Sequence, residues 1–288
     1  MQILFNGLTN GFVIALLGIS FTVVYLPTRI FYIALAGIYV LSAYLMWQGM
    51  QWGFSPLTAG AATVAFGTIL SVLMDICNHQ PLERRRSSFA AHMVSSLGIF
   101  IIIIQSIALT WGNDPKKLKS GIDMIYKLGP LIVSWSQALS LGIAVLALGL
   151  FLFWLKKSRF GLCFRGLADN PLKMALLGYN TNNLRLVAFA IAGALGSLAG
   201  ILSAYDLGFD PHGGMAALLL AIVAVIIGGK NTFLGPVLGG LILGILRAEA
   251  VWHVSAKWQD AVTFLLLAGF LFLRPGGILG KQERLEEM

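Results

Sequence analysis

The chain has 288 residues, 58% of them hydrophobic and only 11% charged, with a mean hydropathy of +0.84. A soluble globular domain carries about 25% charge, so this composition excludes a water-soluble fold and points to an all-α, polytopic membrane protein. The formal charge of +8 does not mark a nucleic-acid binder, because the 20 lysines and arginines sit between apolar runs and are not interleaved with exposed aromatics.

The N-terminus, MQILFNGLTNG, has no basic leader and no small-residue cleavage site, so its apolar run is expected to be a retained span. An ionised side chain at the bilayer centre costs about 3 kcal/mol, and charge-free runs therefore mark the spans. They fall near 5–26, 30–48, 55–74, 89–111, 131–155, 185–205, 214–229, 232–250 and 259–273. This gives a bundle of eight or nine spans in a single domain, 1–288; the last four runs are crowded, and one pair is open to being re-entrant or broken.

Span one carries Gly7, Gly11, Ala15, Gly18 and Thr22 at spacings of four and three, a small-residue stripe that lets a neighbouring helix approach closely. Asn6 and Asn10 lie beside it, placed either for interhelical hydrogen bonds or for contact with a solute. Near the fourth span His92 stands among Ser87, Ser88, Ser95 and Ser96 and is read as a packing histidine, with Ser95 and Ser96 as candidate pathway residues. Span six repeats the small-residue device with Ala192, Gly196, Gly200 and Ala204. Span eight does so with Gly235, Gly239, Gly240 and Gly244.

The cations divide unevenly among the connections. Arg29, the 75–88 loop, the 156–185 loop, Lys230 and the C-terminal tail hold fourteen cations against six acids, and the other side holds six of each. The positive-inside rule makes the first side cytoplasmic, with the N-terminus outside and the C-terminus inside. Lys116, Lys117, Lys119 and Lys127 are then exceptions on the outer side, partly offset by Asp114 and Asp123. Cys77 and Cys163 fall in the cytoplasmic loops and have no metal or disulfide spacing.

The 156–185 loop holds six cations (Lys156, Lys157, Arg159, Arg165, Lys173, Arg185) against one acid, Asp169. Within it, Asp169 or Asn170 can cap a helix that begins at Pro171, runs to Leu177 and stops at Gly178. Leu172, Met174, Leu176 and Leu177 give this short helix an apolar surface suited to docking, whereas a purely topogenic loop would lay them on lipid headgroups.

Coupling chemistry inside the membrane is expected to be sparse, since only His92 and, near the outer end of span eight, Arg247 and Glu249 fall within spans. GGK at 228–230 lacks the rest of a phosphate-binding loop, and Ser197 in LGSLAG lacks a nucleophile-elbow frame, so neither ATP hydrolysis nor serine hydrolysis is expected of this chain. No cofactor and no metal are implied.

Five blocks resemble the branched-chain amino acid type of ABC transporter permease: NGLTNGFVIALLGISFTVVY at 6–25; Arg29 and Ile30 leading to Leu41 to Tyr44; QPLERRR at 80–86 with SSLG at 95–98; SRFGLCFRGLADNPLKMALLGYN at 158–180; and IIGGKNTFLGPVLGGLILG at 226–244 with RPGGILG at 274–280. The resemblance implies that the fourth block is a coupling loop seated in an ATPase subunit, with Arg159, Phe160, Gly161, Arg165, Asp169, Pro171, Leu176, Leu177 and Gly178 carrying that contact. It further implies a bacterial inner-membrane protein whose partners are a second permease, two ATP-binding cassette subunits and an extracytoplasmic solute-binding protein. The expected solute is a branched-chain amino acid, with urea or a short amide as the alternative. A stand-alone secondary transporter is the rival of a different class. After Arg29 the family's Asn-Phe-Ala-His-Gly motif is replaced by Tyr32, Ile33, Ala34, Leu35 and Ala36, which makes Tyr32 a further candidate for the pathway.

Overall fold

The computed structural model describes residues 1–118, 125–128, 131–229, 231–253, 255–274 and 276–280. Of the charges that set the expected orientation, Lys119, Asp123, Lys230, Lys281, Glu283, Arg284, Glu286 and Glu287 lie outside the described residues.

Each of the nine apolar runs contains one helix, the 131–155 run beginning with a short strand before it. In chain order the elements are α1 (Gln2–Thr28), α2 (Ala34–Gln51), α3 (Pro56–Met74), a π turn (Asp75–His79), α4 (Gln80–Arg84), α5 (Phe89–Trp111), strands β1 (Ile125–Leu128) and β2 (Leu131–Ser134), α6 (Trp135–Lys157), α7 (Arg159–Asp169), α8 (Pro171–Leu176), α9 (Thr181–Leu207), α10 (Gly213–Gly228), α11 (Gly235–His253), a 3₁₀ turn (Ala256–Trp258) and α12 (Gln259–Leu273). Among the described residues, seven helices are long and apolar enough to cross a membrane, while α10 is a shorter apolar helix. Neither α2 nor α10 faces lipid alone, since both pack in the middle of the bundle and bury much of their length.

The helix starts follow local chemistry. Ser55 accepts from the Thr58 amide ahead of Pro56, and Ser88, Ser134 and Asn180 cap α5, α6 and α9 in the same way, satisfying donors that have no partner inside the helix. At its other end α1 stops on Arg29, a non-glycine residue in the left-handed region (φ 57°), whose amide bonds to Tyr25 O at 2.8 Å.

The core is built where backbones meet. α1 runs antiparallel to α11, and a Cβ added at Gly11 would lie 3.0 Å from Gly240 O and one at Gly7 2.8 Å from Ile245 Cα. Each of these faces therefore excludes any larger side chain. A Cβ added at Gly196 would lie 2.6 Å from Leu35 Cδ1, Gly200 faces the Tyr39 carbonyl, and Gly239 faces the Ala224 carbonyl. Around this centre of α1, α2, α9, α10 and α11 stand α5, α6 and α12. Their outward side chains, such as Leu109, Phe153 and Phe272, are apolar and exposed, as a lipid-facing surface requires.

Successive long helices alternate in direction, so the connections gather at two ends. At the N-terminal end Gln2 bonds the Ile132 backbone in both directions at 2.8 Å, and Lys116 pairs with Phe209 through two backbone hydrogen bonds. At the other, basic end lie Arg29, Arg84 to Arg86, the 156–181 segment, Arg274 and residues 276–280. There Ile278 and Leu279 donate to Ile227 O and Gly228 O, carbonyls at the end of α10 that have no donor within the helix.

Three expectations are corrected. The 75–88 segment, expected as a loop, continues α3 through the π turn to Arg84, because its backbone bonds carry on unbroken. Residues 159–169, also expected as loop, form α7. Finally, the spans hold more buried charge than their apolar runs suggest: Asp75 is fully buried and Arg185 is 6% exposed, since each neutralises the other.

Candidate functional site

Two features at opposite ends of the bundle stand out, together with a polar cluster near the basic end. The first feature is a cavity of about 830 Å³ that opens at the N-terminal end and is enclosed within this one chain by α1, α2, α9, α10 and α11. Asn6 and Asn10 line it, so of the candidate pathway residues these two reach a solvent-accessible space. Its lining on α1 runs from Ile3 to Leu17, a depth of roughly 21 Å at 1.5 Å per residue. Charged groups, including Lys116, Asp210 and Arg247, stand toward the mouth. Lower down the walls are neutral, with Val13, Ile14, Leu17, Val40 and Leu220 beside Asn10, Tyr39 and Ser203. Arg247 is held by Thr263 at 2.6 Å and Asp260 at 3.1 Å.

Tyr32, Ser95 and Ser96 do not reach this cavity. Tyr32 is fully buried, with its hydroxyl 3.1 Å from Ser71 Oγ and 3.2 Å from Met74 Sδ. Ser96 Oγ accepts from the Ala34 amide at 2.9 Å, which ties α5 to the start of α2, and Ser95 donates to Asn78 Oδ1. These residues instead border the polar cluster. In it Asp75 Oδ1 accepts from Arg185 Nε at 2.8 Å and Nη2 at 2.6 Å, while Gln80 donates to Asp75 Oδ2 at 3.1 Å. Glu83 meets the Arg185 guanidinium from the surface, and His79 and His92 stack with their Nδ1 atoms 3.4 Å apart. The cluster therefore joins the π turn to the first turns of α9.

The second feature is the helix pair α7 and α8. Ser158 Oγ accepts from the Phe160 amide and starts α7, which folds back on α6 so tightly that a Cβ at Gly161 would lie 2.6 Å from the Trp154 and Leu155 carbonyls. Phe164 anchors α7 beneath, with its ring 6.1 Å from Trp154 and 5.7 Å from Phe233. Asn170, not Asp169, caps α8: its Oδ1 accepts from the Lys173 amide at 2.9 Å, and Asp169 is the last residue of α7. Gly178 adopts φ +83°, and the Tyr179 amide reaches back to Met174 O, closing the helix as a left-handed cap does. Met174 is buried against Leu167 and Leu184. That leaves Leu172, Leu176 and Leu177 outward, each more than 70% exposed, with Arg159, Phe160 and Arg165 exposed on the neighbouring helix. One face of the pair is thus fixed to the bundle and the other is apolar, basic and uncovered.

Sequence reasoning missed Lys116 and Asp210 as cavity residues, since both read as loop charges. It also missed the pairing of Asp75 with Arg185, which lie 110 positions apart.

The chain resembles known proteins over nearly its whole length. It is 29% identical to the high-affinity branched-chain amino acid transport system permease protein LivH of Escherichia coli K12, covering 98% of this chain and 96% of that one. It is 26% identical to the autoinducer 2 import system permease protein LsrC of Photorhabdus laumondii over 90% of this chain and 78% of that one. Among solved structures, PsaBC from Streptococcus pneumoniae in complex with Fab superposes with a TM-score of 0.55 over 96% of this chain and 93% of that one, at 11% identity, a likeness of fold alone. Residues 3–271 match the family described as the permease component of branched-chain amino acid transport systems, and this chain is a multi-pass membrane protein belonging to that family.

Proposed function

We infer that the whole chain acts as one permease domain of an ATP-driven importer in a bacterial inner membrane, passing a branched-chain amino acid toward the cytoplasm. The observation that carries this reading is the helix pair at the basic end. In a family of transport permeases, a capped and rigidly seated helix with three leucines exposed outside the bundle is a surface built to be covered by another subunit. Arg159 and Arg165 beside it suit acids on that subunit and set its orientation more than its affinity. The basic end then faces the cytoplasm, where the ATPase subunits are. The cavity opens toward the outer face, where a solute-binding protein delivers its load. A second permease subunit completes the membrane part.

The test is uptake of radiolabelled leucine into proteoliposomes that hold this chain with its second permease, ATPase and binding-protein partners. Uptake is expected to need ATP, and leucine accumulation without nucleotide would overturn the reading in favour of a secondary transporter. The family resemblance to an autoinducer 2 permease shows that solutes vary among relatives, so urea and short amides serve as competitors in the same assay. Competition by urea with no response to branched aliphatic amino acids would transfer the assignment to the neutral solute.

A further inference from the structure

Helix α12 is bound to the rest of the chain unevenly. Of the seven helices long and apolar enough to cross a membrane, it buries the smallest share of its length. At its outer end Arg247 of α11 reaches Asp260 at 3.1 Å and Thr263 at 2.6 Å, and further along Leu266, Leu267 and Phe270 pack against Val223, Ala224, Ile227 and Leu243 of α10 and α11. Beside this contact runs a groove of about 500 Å³, lined by Val262, Leu265, Gly269, Phe270 and Leu273 and ending at Arg274 on the basic side. A Cβ added at Gly269 would meet nothing within 4 Å, so among the described residues no atom fills the groove at that point. Arg274 is exposed and has no acid partner among the described residues. From Val262 to Arg274 the groove is roughly 18 Å long at 1.5 Å per residue, close to the roughly 15 Å of hydrocarbon in one leaflet.

We propose that this groove holds one acyl chain of an anionic phospholipid from the leaflet at the basic end, with Arg274 on the lipid phosphate. Length, lining and charge all fit that occupant. An apolar channel one leaflet deep takes a single chain, and the guanidinium at its end meets a phosphate at headgroup level, to which it can donate two parallel hydrogen bonds. An anionic headgroup leaves the phosphate charge uncancelled, whereas an ethanolamine headgroup carries its own cation in competition with Arg274. A helix from another subunit fits less well. Helix contacts inside a membrane favour small residues that let backbones approach, and the exposed side of α12 is made of Phe264, Leu265, Leu271, Phe272 and Leu273. The seated chain adds apolar contact that the protein does not supply, and it steadies the inner half of α12 against α10 and α11, which wall the large cavity. Its presence does not depend on which solute the chain carries.

The test is native mass spectrometry of the full-length chain, alone and in complex with its second permease and ATPase subunits, released from mixed micelles of phosphatidylglycerol and phosphatidylethanolamine with identical acyl chains. The wild type is expected to retain phosphatidylglycerol roughly fivefold over phosphatidylethanolamine, the preference that one basic side chain contributes at an anionic surface. Arg274→Gln should bring the two lipids level, and Arg274→Lys should keep part of the preference. Gly269→Phe, which fills the groove from a position with open space, should reduce retention of both lipids. Arg84→Gln removes a charge at the same end of the bundle but outside the groove and should leave the preference unchanged. Arg274→Gln alters an exposed side chain alone, so the outcome does not hang on the folding of Gly269→Phe. Equal retention of the two lipids by the wild type, an equal loss of preference with Arg84→Gln, or full retention by folded Gly269→Phe would overturn the proposal. So would loss of the bound phosphatidylglycerol when the complex assembles, since the groove would then be a surface for the second permease.

Discussion

Replacing Arg185 by methionine isolates the energetics of the polar cluster. The substitution keeps most of the aliphatic stem but removes the guanidinium donors that reach Asp75 at 2.8 and 2.6 Å. Asp75, fully buried, is left with the Gln80 amide at 3.1 Å as its remaining side-chain donor. Removing one member of a buried ion pair costs about 3–5 kcal/mol, because the other charge stays desolvated without its counter-ion. At roughly 2–4 °C per kcal/mol for a chain of this size class, the apparent melting temperature should fall by on the order of 10 °C. Glu83 contacts the same guanidinium from a largely solvent-exposed position, so Glu83→Gln should cost less than about 1 kcal/mol. Pairing Arg185→Met with Asp75→Leu removes both charges, and the double variant should recover most of the loss. Thermal unfolding of the detergent-purified wild type and these three variants, followed by tryptophan fluorescence, reads the effects. The reasoning fails if Arg185→Met melts with the wild type, or if the double variant is worse than Arg185→Met alone.

Further outcomes are expected from the other features. Gly200→Leu should abolish accumulation of folded protein, since its side chain would enter the Tyr39 backbone, whereas Gly142→Ala, with open space around it, should be neutral; equal yields would show that the glycine contact is not formed. Leu176→Asp should leave the chain inserted but remove co-purification of the ATPase subunits, and full co-purification would show that α8 is not the docking surface. Cysteines placed at Gln2 and Asn170 should react with an impermeant maleimide from opposite faces of right-side-out vesicles; labelling of both from one face would contradict an odd number of crossings.

The spans were legible because the bilayer imposes one rule on every segment that crosses it, and charge-free runs obey that rule wherever they lie. The ends of α8 were legible for a similar reason, since Asn170, Pro171 and Gly178 act on their own neighbours along the chain. Asp75 and Arg185 were not, because a charge in a helical continuation looks like a charge in a loop until its partner is known. α7 was hidden in a basic stretch, where three apolar residues on one helix face, Cys163, Phe164 and Leu167, gave too short a pattern to stand out. Of the cavity, Asn6, Asn10 and Arg247 were visible as unusual residues of their spans. Its lower walls are mostly small and aliphatic side chains contributed by several helices, and their convergence is a property of packing with no local trace.

The backbone pairing of Ile278 and Leu279 with the end of α10 has a consequence for the order of assembly. α10 is a short apolar helix whose last carbonyls need donors, and the chain supplies them from a segment that follows both α11 and α12 in the sequence. Until then that end of the helix is incomplete, so the inner part of the bundle can be present before it is sealed. A chain ending at Leu273 should insert all its long helices yet leave the Ile227 and Gly228 carbonyls without donors, so that the last turn of α10 frays and its amides exchange faster. Hydrogen exchange at the end of α10 as protected as in the full-length protein would show that the segment is an ornament and not a closing stitch.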